Sequence, residues 1–227
     1  FQRQSEDILN RVAPPAGSNL TNEIYTNIGD LESSGVEFTL NADVFQRQNF
    51  TWNLSFNATW LTNKIKKLNN VDDPDYVGIP VGGISGGVGN TVQTQQVGQP
   101  QFSFLVYEQV YDESGNPLEG VYVDQNGDGL INDSDKRIFN NPNPDYLFGL
   151  SSYMTFYENW DFSFTMRASL GNYVYNNVAS ANGVYAGVWE LNSLRNAHSS
   201  LLDTDFREQQ FWSDYYVQDA SFLRMDN

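Results

Sequence analysis

Cysteine is absent from the 227 residues, which removes disulfide frameworks, thiolate metal sites and cysteine nucleophiles together. Histidine occurs once, as His198 in the polar run Asn196-Ala197-His198-Ser199-Ser200, so a histidine relay is excluded and a lone loop histidine is most simply a solvated side chain. Basic residues are scarce: 12 Lys+Arg stand against 28 Asp+Glu, and a net charge of −16 argues against a surface built to hold nucleic-acid phosphates. No run approaches the ~20 consecutive apolar residues of a membrane-spanning helix. The opening residues Phe1 to Asp7 carry no initiator Met, no basic segment and no apolar segment, so no targeting signal is expected there. The last residues, Asp219 to Asn227, read as the start of a strand that needs a partner, and the chain is expected to be a segment of something longer.

What is present is aromatic side chains, at 15% too many for a disordered acidic tail, and strict alternation. In Val36-Glu37-Phe38-Thr39-Leu40-Asn41-Ala42-Asp43-Val44 every even position is apolar and every odd one polar. The rule repeats in Trp52 to Trp60, and again in Trp160 to Leu170. These stretches predict half-buried β-strands. Gln46-Arg47-Gln48-Asn49 joins the first two into a hairpin, and Glu158-Asn159 joins 146–157 to the Trp160 strand. The other connections, 69–101 and 172–216, are long, and Gly82–Gly89 is expected to be a flexible external loop without phosphate-loop chemistry. Short turns at one end and long loops at the other suit an outer-membrane barrel, and so do strands near the ~9–11 residues that cross a bilayer. Trp52 and Trp60 bracket one apolar face, while Phe45, Phe50, Tyr157 and Trp160 gather at the turns, where interfacial aromatic girdles would sit.

The expected fold is therefore all-β: an antiparallel transmembrane β-barrel, partial, with about seven strands of a larger barrel and long extracellular loops. Such a sheet leaves unpaired backbone groups at its edges, which hydrocarbon does not tolerate, so further strands are expected to close it. The alternative is a soluble secreted β-sandwich, a carbohydrate-binding or adhesion module with a structural calcium.

Several strings share an order. Asn27-Ile28-Gly29 through Gly35-Val36-Glu37, then Phe50-Thr51-Trp52 with Asn57 and Asn63-Lys64-Ile65, then Val97-Gly98-Gln99-Pro100, are followed by Asp124-Gln125-Asn126-Gly127-Asp128-Gly129, Asn141-Pro142-Asn143-Pro144-Asp145-Tyr146 with Gly149, and Ala220-Ser221-Phe222-Leu223-Arg224. Together they resemble the SusC/RagA-type TonB-dependent outer-membrane transporters of Bacteroidota along residues 1–227. The resemblance implies the C-terminal portion of such a barrel, in the outer membrane of a Gram-negative cell. It also implies a SusD-like surface lipoprotein lid, coupling to TonB through a region outside these residues, and import of oligosaccharides, glycans or peptides. No plug domain, TonB box or closing strand is recognisable, so energy coupling cannot be read from these residues.

One motif carries chemistry of its own. Residues 124–135 place oxygen ligands at loop positions 1, 3, 5 and 12, as Asp124, Asn126, Asp128 and Asp135, with Gly at position 6 and Ile at position 8. Leu130, at position 7, would add its carbonyl. This is the spacing of a calcium loop of EF-hand type, although Asp135 replaces the bidentate Glu and the flanks are not helical. Asn126-Gly127 and Asp128-Gly129 are also turn dipeptides, and an acidic turn without metal shares part of the pattern.

No acid/base pair or nucleophile site can be named, so the chain is expected not to be an enzyme. Of the sequons at Asn19, Asn49, Asn53 and Asn57, two fall on the polar face of a strand, which suits a hydrated lumen better than a glycan. Tyr185 and Trp189, in the second long loop, are candidates for stacking on sugar rings.

Overall fold

The computed structural model describes residues 1–12, 24–68, 78–85, 89–157, 159–188 and 196–226; Asn19, Glu158 and Trp189 lie outside them. Its strands in chain order are β1 (Gln2–Val12), β2 (Ile24–Arg47), β3 (Phe50–Lys67), β4 (Ile79–Gly83), β5 (Thr91–Gln95), β6 (Ser103–Val106), β7 (Gln109–Tyr111), β8 (Pro117–Tyr122), β9 (Arg137–Ile138), β10 (Tyr146–Phe156), β11 (Trp160–Leu170), β12 (Tyr173–Tyr175), β13 (Val217–Asp219) and β14 (Phe222–Asp226). Two short helices, α1 (Asn177–Asn182) and α2 (Leu201–Thr204), complete it.

Six strands form one antiparallel sheet in the order β1-β2-β3-β10-β11-β14. Its register carries the alternation across the strands. Phe38, Ala58, Phe148, Ala168 and Leu223 face one another in one row, and Leu40, Phe56, Leu150, Met166 and Met225 in another. The intervening row carries no apolar side chain: Thr39, Asn57, Gly149, Arg167 and Arg224. Because side chains alternate with period two, cross-strand partners share a face, and one face is apolar between Val36 and Phe50 apart from Ser152 and, at the turn, Arg47.

No second sheet covers that face among the described residues: Val36 is 62% exposed, Phe38 54% and Phe162 55%. A sandwich would bury these side chains between two sheets, so the sandwich reading is corrected here. The polar face carries a hydrogen-bond ladder instead. Ser55 Oγ donates to Asn41 Oδ1 at 2.7 Å, Thr155 to Asp161 at 2.8 Å, and Asn53 to Asp43, while Arg167 pairs with Asp226 at 2.7 Å. Such pairs hold the sheet from its wet side.

Both tight turns lie at one end of the sheet, where Phe50 stands opposite Phe156 and their rings are 5.0 Å apart. Phe45 packs on Phe50 and Trp52 at the same end, as the aromatic pattern suggests. The first turn is only Gln48-Asn49, tighter than the sequence indicates, because Gln46 and Arg47 still pair with Thr51 and Phe50. The two long connections leave from the opposite end and build a cap of small sheets and helices. Here the expectation for Gly82–Gly89 needs correction: Gly82 and Gly83 belong to β4, which pairs with β5 in a four-stranded sheet. Glycine serves close approach there, since a Cβ on Gly82 would lie 2.3 Å from the Gln93 side chain, and Gly82 has φ +68.

The cap, not the long sheet, holds the buried clusters. Val92, Phe104, Val106 and Val217 form one, and Ala179, Val184, Phe206 and Tyr216 the other, with Tyr175 packed against both. The cap docks on the sheet through the turn at Val97-Gly98, where Gly98 donates its N–H to Ile65 O at 2.8 Å and Ile65 donates to Gln99 O at 3.0 Å. Asn63 Oδ1 accepts from Gln101 N at 2.9 Å, and Ser221 Oγ accepts from Gly171 N at 3.0 Å.

Two glycines make strand pairing possible. A Cβ on Gly35 would lie 2.5 Å from the Trp60 carbonyl oxygen, and one on Gly149 would lie 2.7 Å from the side chain of its cross-strand partner Asn57. Gly149→Ala should lower stability in urea unfolding and be restored by Asn57→Ala, which removes the obstructing side chain. Gly35→Ala should cost about 1–3 kcal/mol with no such rescue, because its obstacle is backbone.

Candidate functional site

The 124–135 loop leaves β8 and closes on a 3-10 turn, Asp133–Asp135. Turn-forming residues fold it by accepting their own backbone N–H groups. Asp124 accepts from Gly127 at 2.7 Å and Gly129 at 2.8 Å, Asn126 from Asp128 at 2.8 Å, and Asp128 from Leu130 at 2.8 Å. Gly127 and Gly129 have φ +74 and +81, the left-handed conformation that the turns require.

Asp135 is the anchor, fully buried, with Oδ1 accepting from Gln125 N at 3.0 Å and Oδ2 from Asn132 N at 2.8 Å. The loop thus brings Asp135 against Asp124, and Asn126 Nδ2 within 3.1 Å of Asp128 Oδ2. Leu130 is exposed, and its carbonyl accepts weakly from Asn132 Nδ2 at 3.5 Å. All five expected ligands therefore sit in one loop, but among the described residues no three of its acidic side chains converge on a single point. The N–H of Gly129, then those of Gly127 and Asp128, hold the Asp124 carboxyl below the usual carboxylate range.

The end of the loop forms one wall of a cavity of about 770 Å³ in the cap. Asp133 pairs with Lys136 at 2.9 Å and accepts from the Tyr107 hydroxyl at 3.3 Å. Lys136 Nζ lies 4.8 Å from the Trp212 ring centroid and 5.3 Å from that of Tyr107. Burial, with Asp133 beside it, raises the Tyr107 hydroxyl to about 12, so it stays a donor. Trp212 is fixed by its own N–H, which donates to Thr91 O at 3.0 Å. Behind this wall Arg137 binds Asp214 at 2.9 Å and lies 3.0 Å from Glu108, and Asp214 Oδ1 accepts from Gln109 N. Burial raises the Asp214 pKa in spite of both partners.

No local pattern marks Tyr107, Lys136 and Trp212 in the sequence, because they are separated by tens of residues and share no local spacing. Tyr185 lies in a short 3-10 turn elsewhere in the cap, its hydroxyl donating to Asp205 at 3.3 Å. His198 Nδ1 accepts from Ser200 N at 3.1 Å and contacts its hydroxyl, a structural role at the start of α2.

No family model matches the chain. Its sequence is 44% identical over 230 residues to the TonB-dependent receptor SusC of Bacteroides thetaiotaomicron, across 100% of this chain. The chain belongs to the SusC/RagA-type TonB-dependent receptors. It is also 29% identical to TonB-dependent receptor P3 of Formosa agariphila over 99% of its length. The fold matches the solved RagAB peptide transporter with a TM-score of 0.70, and the closed-closed RagAB peptide importer with 0.71, at 19% and 18% identity over 98% and 99% of the chain. The long sheet is thus part of a receptor barrel. The chain spans about a quarter of the length of these relatives, 23% of SusC and 25% of the RagAB chain.

Asp135→Ala should leave the Gln125 and Asn132 amides without their acceptor, at a cost of about 1–3 kcal/mol each. Faster hydrogen exchange at those two amides is the expected readout. Since the Asp124 pKa is depressed in the folded loop, its contribution is complete above the ordinary Asp range and lost as pH falls through the lowered value. Exchange at Gly127 and Gly129, corrected for the intrinsic pH dependence, should lose protection across that acid window in the wild type. In Asp124→Asn that window should disappear.

Proposed function

We propose that this chain forms part of an outer-membrane active transporter, importing oligosaccharides, glycans or peptides beneath a SusD-like surface lipoprotein and energised through TonB. The observation that carries this is the depth of the apolar face. From Phe50 to Trp60 along β3 is ten residue steps, about 33 Å at ~3.3 Å per residue. At the ~40° tilt of membrane barrels this is about 25 Å of height, the thickness of their lipid-facing band. Polar rows line the opposite face, as a hydrated lumen requires, and the aromatics at the turns suit the interface. Both edges of the sheet, β1 and β14, would pair with further strands of the barrel, since open edges are costly in hydrocarbon. The named relatives agree with receptor and transport function.

Within this reading the 124–135 loop holds a structural Ca²⁺ in the extracellular cap. Asp124, Asn126, Asp128, the Leu130 carbonyl and Asp135 supply the oxygens. The support is the donor set: Asp124, Asn126, Asp128 and Asp135 fall at the ligand positions of a calcium loop, and the carboxyl of Asp135 is buried within it. Each carboxylate oxygen keeps acceptor capacity beyond its one N–H bond.

Three measurements test the reading. Deleting the gene, or the cell's TonB, should abolish uptake of the substrate, and recovery of the full polypeptide in the soluble fraction would refute the membrane assignment. Leu40→Arg, at mid-depth on the apolar face, should cost about 2–4 kcal/mol and deplete the protein from the outer membrane, whereas Asn41→Arg on the polar face should assemble normally. Calorimetry should show Ca²⁺ uptake that Asp128→Ala weakens, and EDTA should raise proteolysis of the loop in the wild type only.

A further inference from the structure

The sequence holds four lysines, and three of them, Lys64, Lys66 and Lys67, fall within four positions at the end of β3. In a chain of net charge −16 such a concentration of ammonium groups stands out, and Lys136, the fourth, is taken up by Asp133 in the cap. Register places the three on the sheet. The outermost row of the apolar face runs through Val36, Trp60, Tyr146 and Leu170. Beyond it the same face turns polar: the next row holds Gln2, Ser34 and Thr62, and the one after it Gln4, Glu32 and Lys64. Lys66 lies on that side too, because its ammonium pairs with Glu32 at 2.5 Å, whereas Lys67 lines a small cavity with Ile65 and Asp30.

Glu32 is satisfied from within the sheet. One of its oxygens accepts from Gln2 Nε2 at 2.7 Å and the other holds Lys66. Lys64 is exposed and has no hydrogen-bond or ion-pair partner among the described residues. Two ammonium groups thus share one carboxylate, and the patch keeps a positive charge beside the exposed Thr62.

Lys64 stands four steps beyond Trp60 on β3, about 13 Å along the strand at ~3.3 Å per residue and about 10 Å in height at the ~40° tilt. An indole sits at headgroup level, so the lysines lie at the outer side of that layer, and their aliphatic stems let the ammonium groups reach back into it. The long connections mark this as the extracellular end of the barrel, where the lipid of a Gram-negative outer membrane is lipopolysaccharide. Its headgroup carries phosphates on a diglucosamine and carboxylates on the sugars next to it. We infer that Lys64 and Lys66 form a docking patch for this anionic headgroup, with the apolar row at Trp60 and Tyr146 beneath it for the acyl chains. This rests on the outer-membrane reading and adds a lipid partner on the outward face. Ammonium groups on flexible stems suit a headgroup whose phosphates are not held in one fixed geometry.

The test uses the full receptor polypeptide, purified from the outer membrane in detergent, stripped of endogenous lipopolysaccharide and titrated with diphosphoryl lipid A or phosphatidylglycerol without added divalent cations. Lipid A should bind more tightly than phosphatidylglycerol, and Lys64→Gln and Lys66→Gln should each weaken it by about fivefold. Glu32→Gln removes the competing carboxylate and should strengthen it by a similar factor. Lys67→Gln, outside the patch, should leave it nearly unchanged, and heat-modifiable migration checks that each variant keeps its barrel. Unchanged lipid A affinity when both patch lysines are replaced, an equal loss in Lys67→Gln, weaker binding in Glu32→Gln, or phosphatidylglycerol binding as tight as lipid A would overturn the inference. The transporter reading fails separately, if the polypeptide is absent from the outer membrane.

Discussion

Every strand of the long sheet must present apolar side chains to one surroundings and polar side chains to another, and cross-strand register is what makes those choices agree. The rows through Phe38 and Leu40 stay apolar over five strands, and the rows between them stay polar, so no strand can slip by one residue. A single slip of β10 against β3 would turn Phe148 and Leu150 onto the polar face and Ser151 and Tyr153 onto the apolar one. The ladder of Asn53 on Asp43 and Ser55 on Asn41 adds a polar penalty to the same error. Even the exception obeys the rule: Ser152, on the apolar face, has its hydroxyl satisfied by the Trp52 indole N–H at 3.0 Å.

A sheet with one apolar and one polar face, neither covered by a second layer among the described residues, has no enclosed side on which to build a core. That is why the enclosed apolar clusters lie in the cap, around Val106 and around Tyr216, and why the cap needs its own small sheets. The resemblance motifs mark the points where this second body meets the first. Gly98 and Gln99 extend pairing at Ile65, Asn63 receives Gln101, and Ser221 receives Gly171. Others mark close strand contacts: Gly149 makes room for Asn57, and Gly35 for the Trp60 carbonyl. The strings are short and scattered because each records one docking constraint rather than one site.

How much was legible in the sequence follows from the same physics. Val36–Val44, Trp52–Trp60 and Trp160–Leu170 announce themselves because two different environments act on alternate residues. The upper part of β2, from Ile24 to Ser34, shows no such alternation, since it extends beyond the apolar band and carries an extra residue, Ile28, in its pairing with β1. The strands of the cap are too short for periodicity to register, and Gly82-Gly83 reads as slack when it is the point at which β4 approaches Gln93. The 124–135 loop is legible because all its groups lie within one turn of chain. The cavity is not, because Gln93, Tyr107, Lys136 and Trp212 meet only after the cap has folded.

The division also explains where selectivity can reside. On the long sheet, substitution is confined by solvent: apolar outward, polar inward, with glycine where strands crowd. Cap positions answer only to local packing, so a loop that folds itself through Asp124 and Asp135 can project Asp133, Ser134 and Lys136 into a neighbouring cavity without disturbing the strands. Asp133 bonds both Lys136 and Tyr107, which ties the loop to two walls of that cavity at once. A change in the order of the loop, by acid or by a bound cation, would therefore reach the cavity through one carboxylate while the register of the sheet stayed as it is.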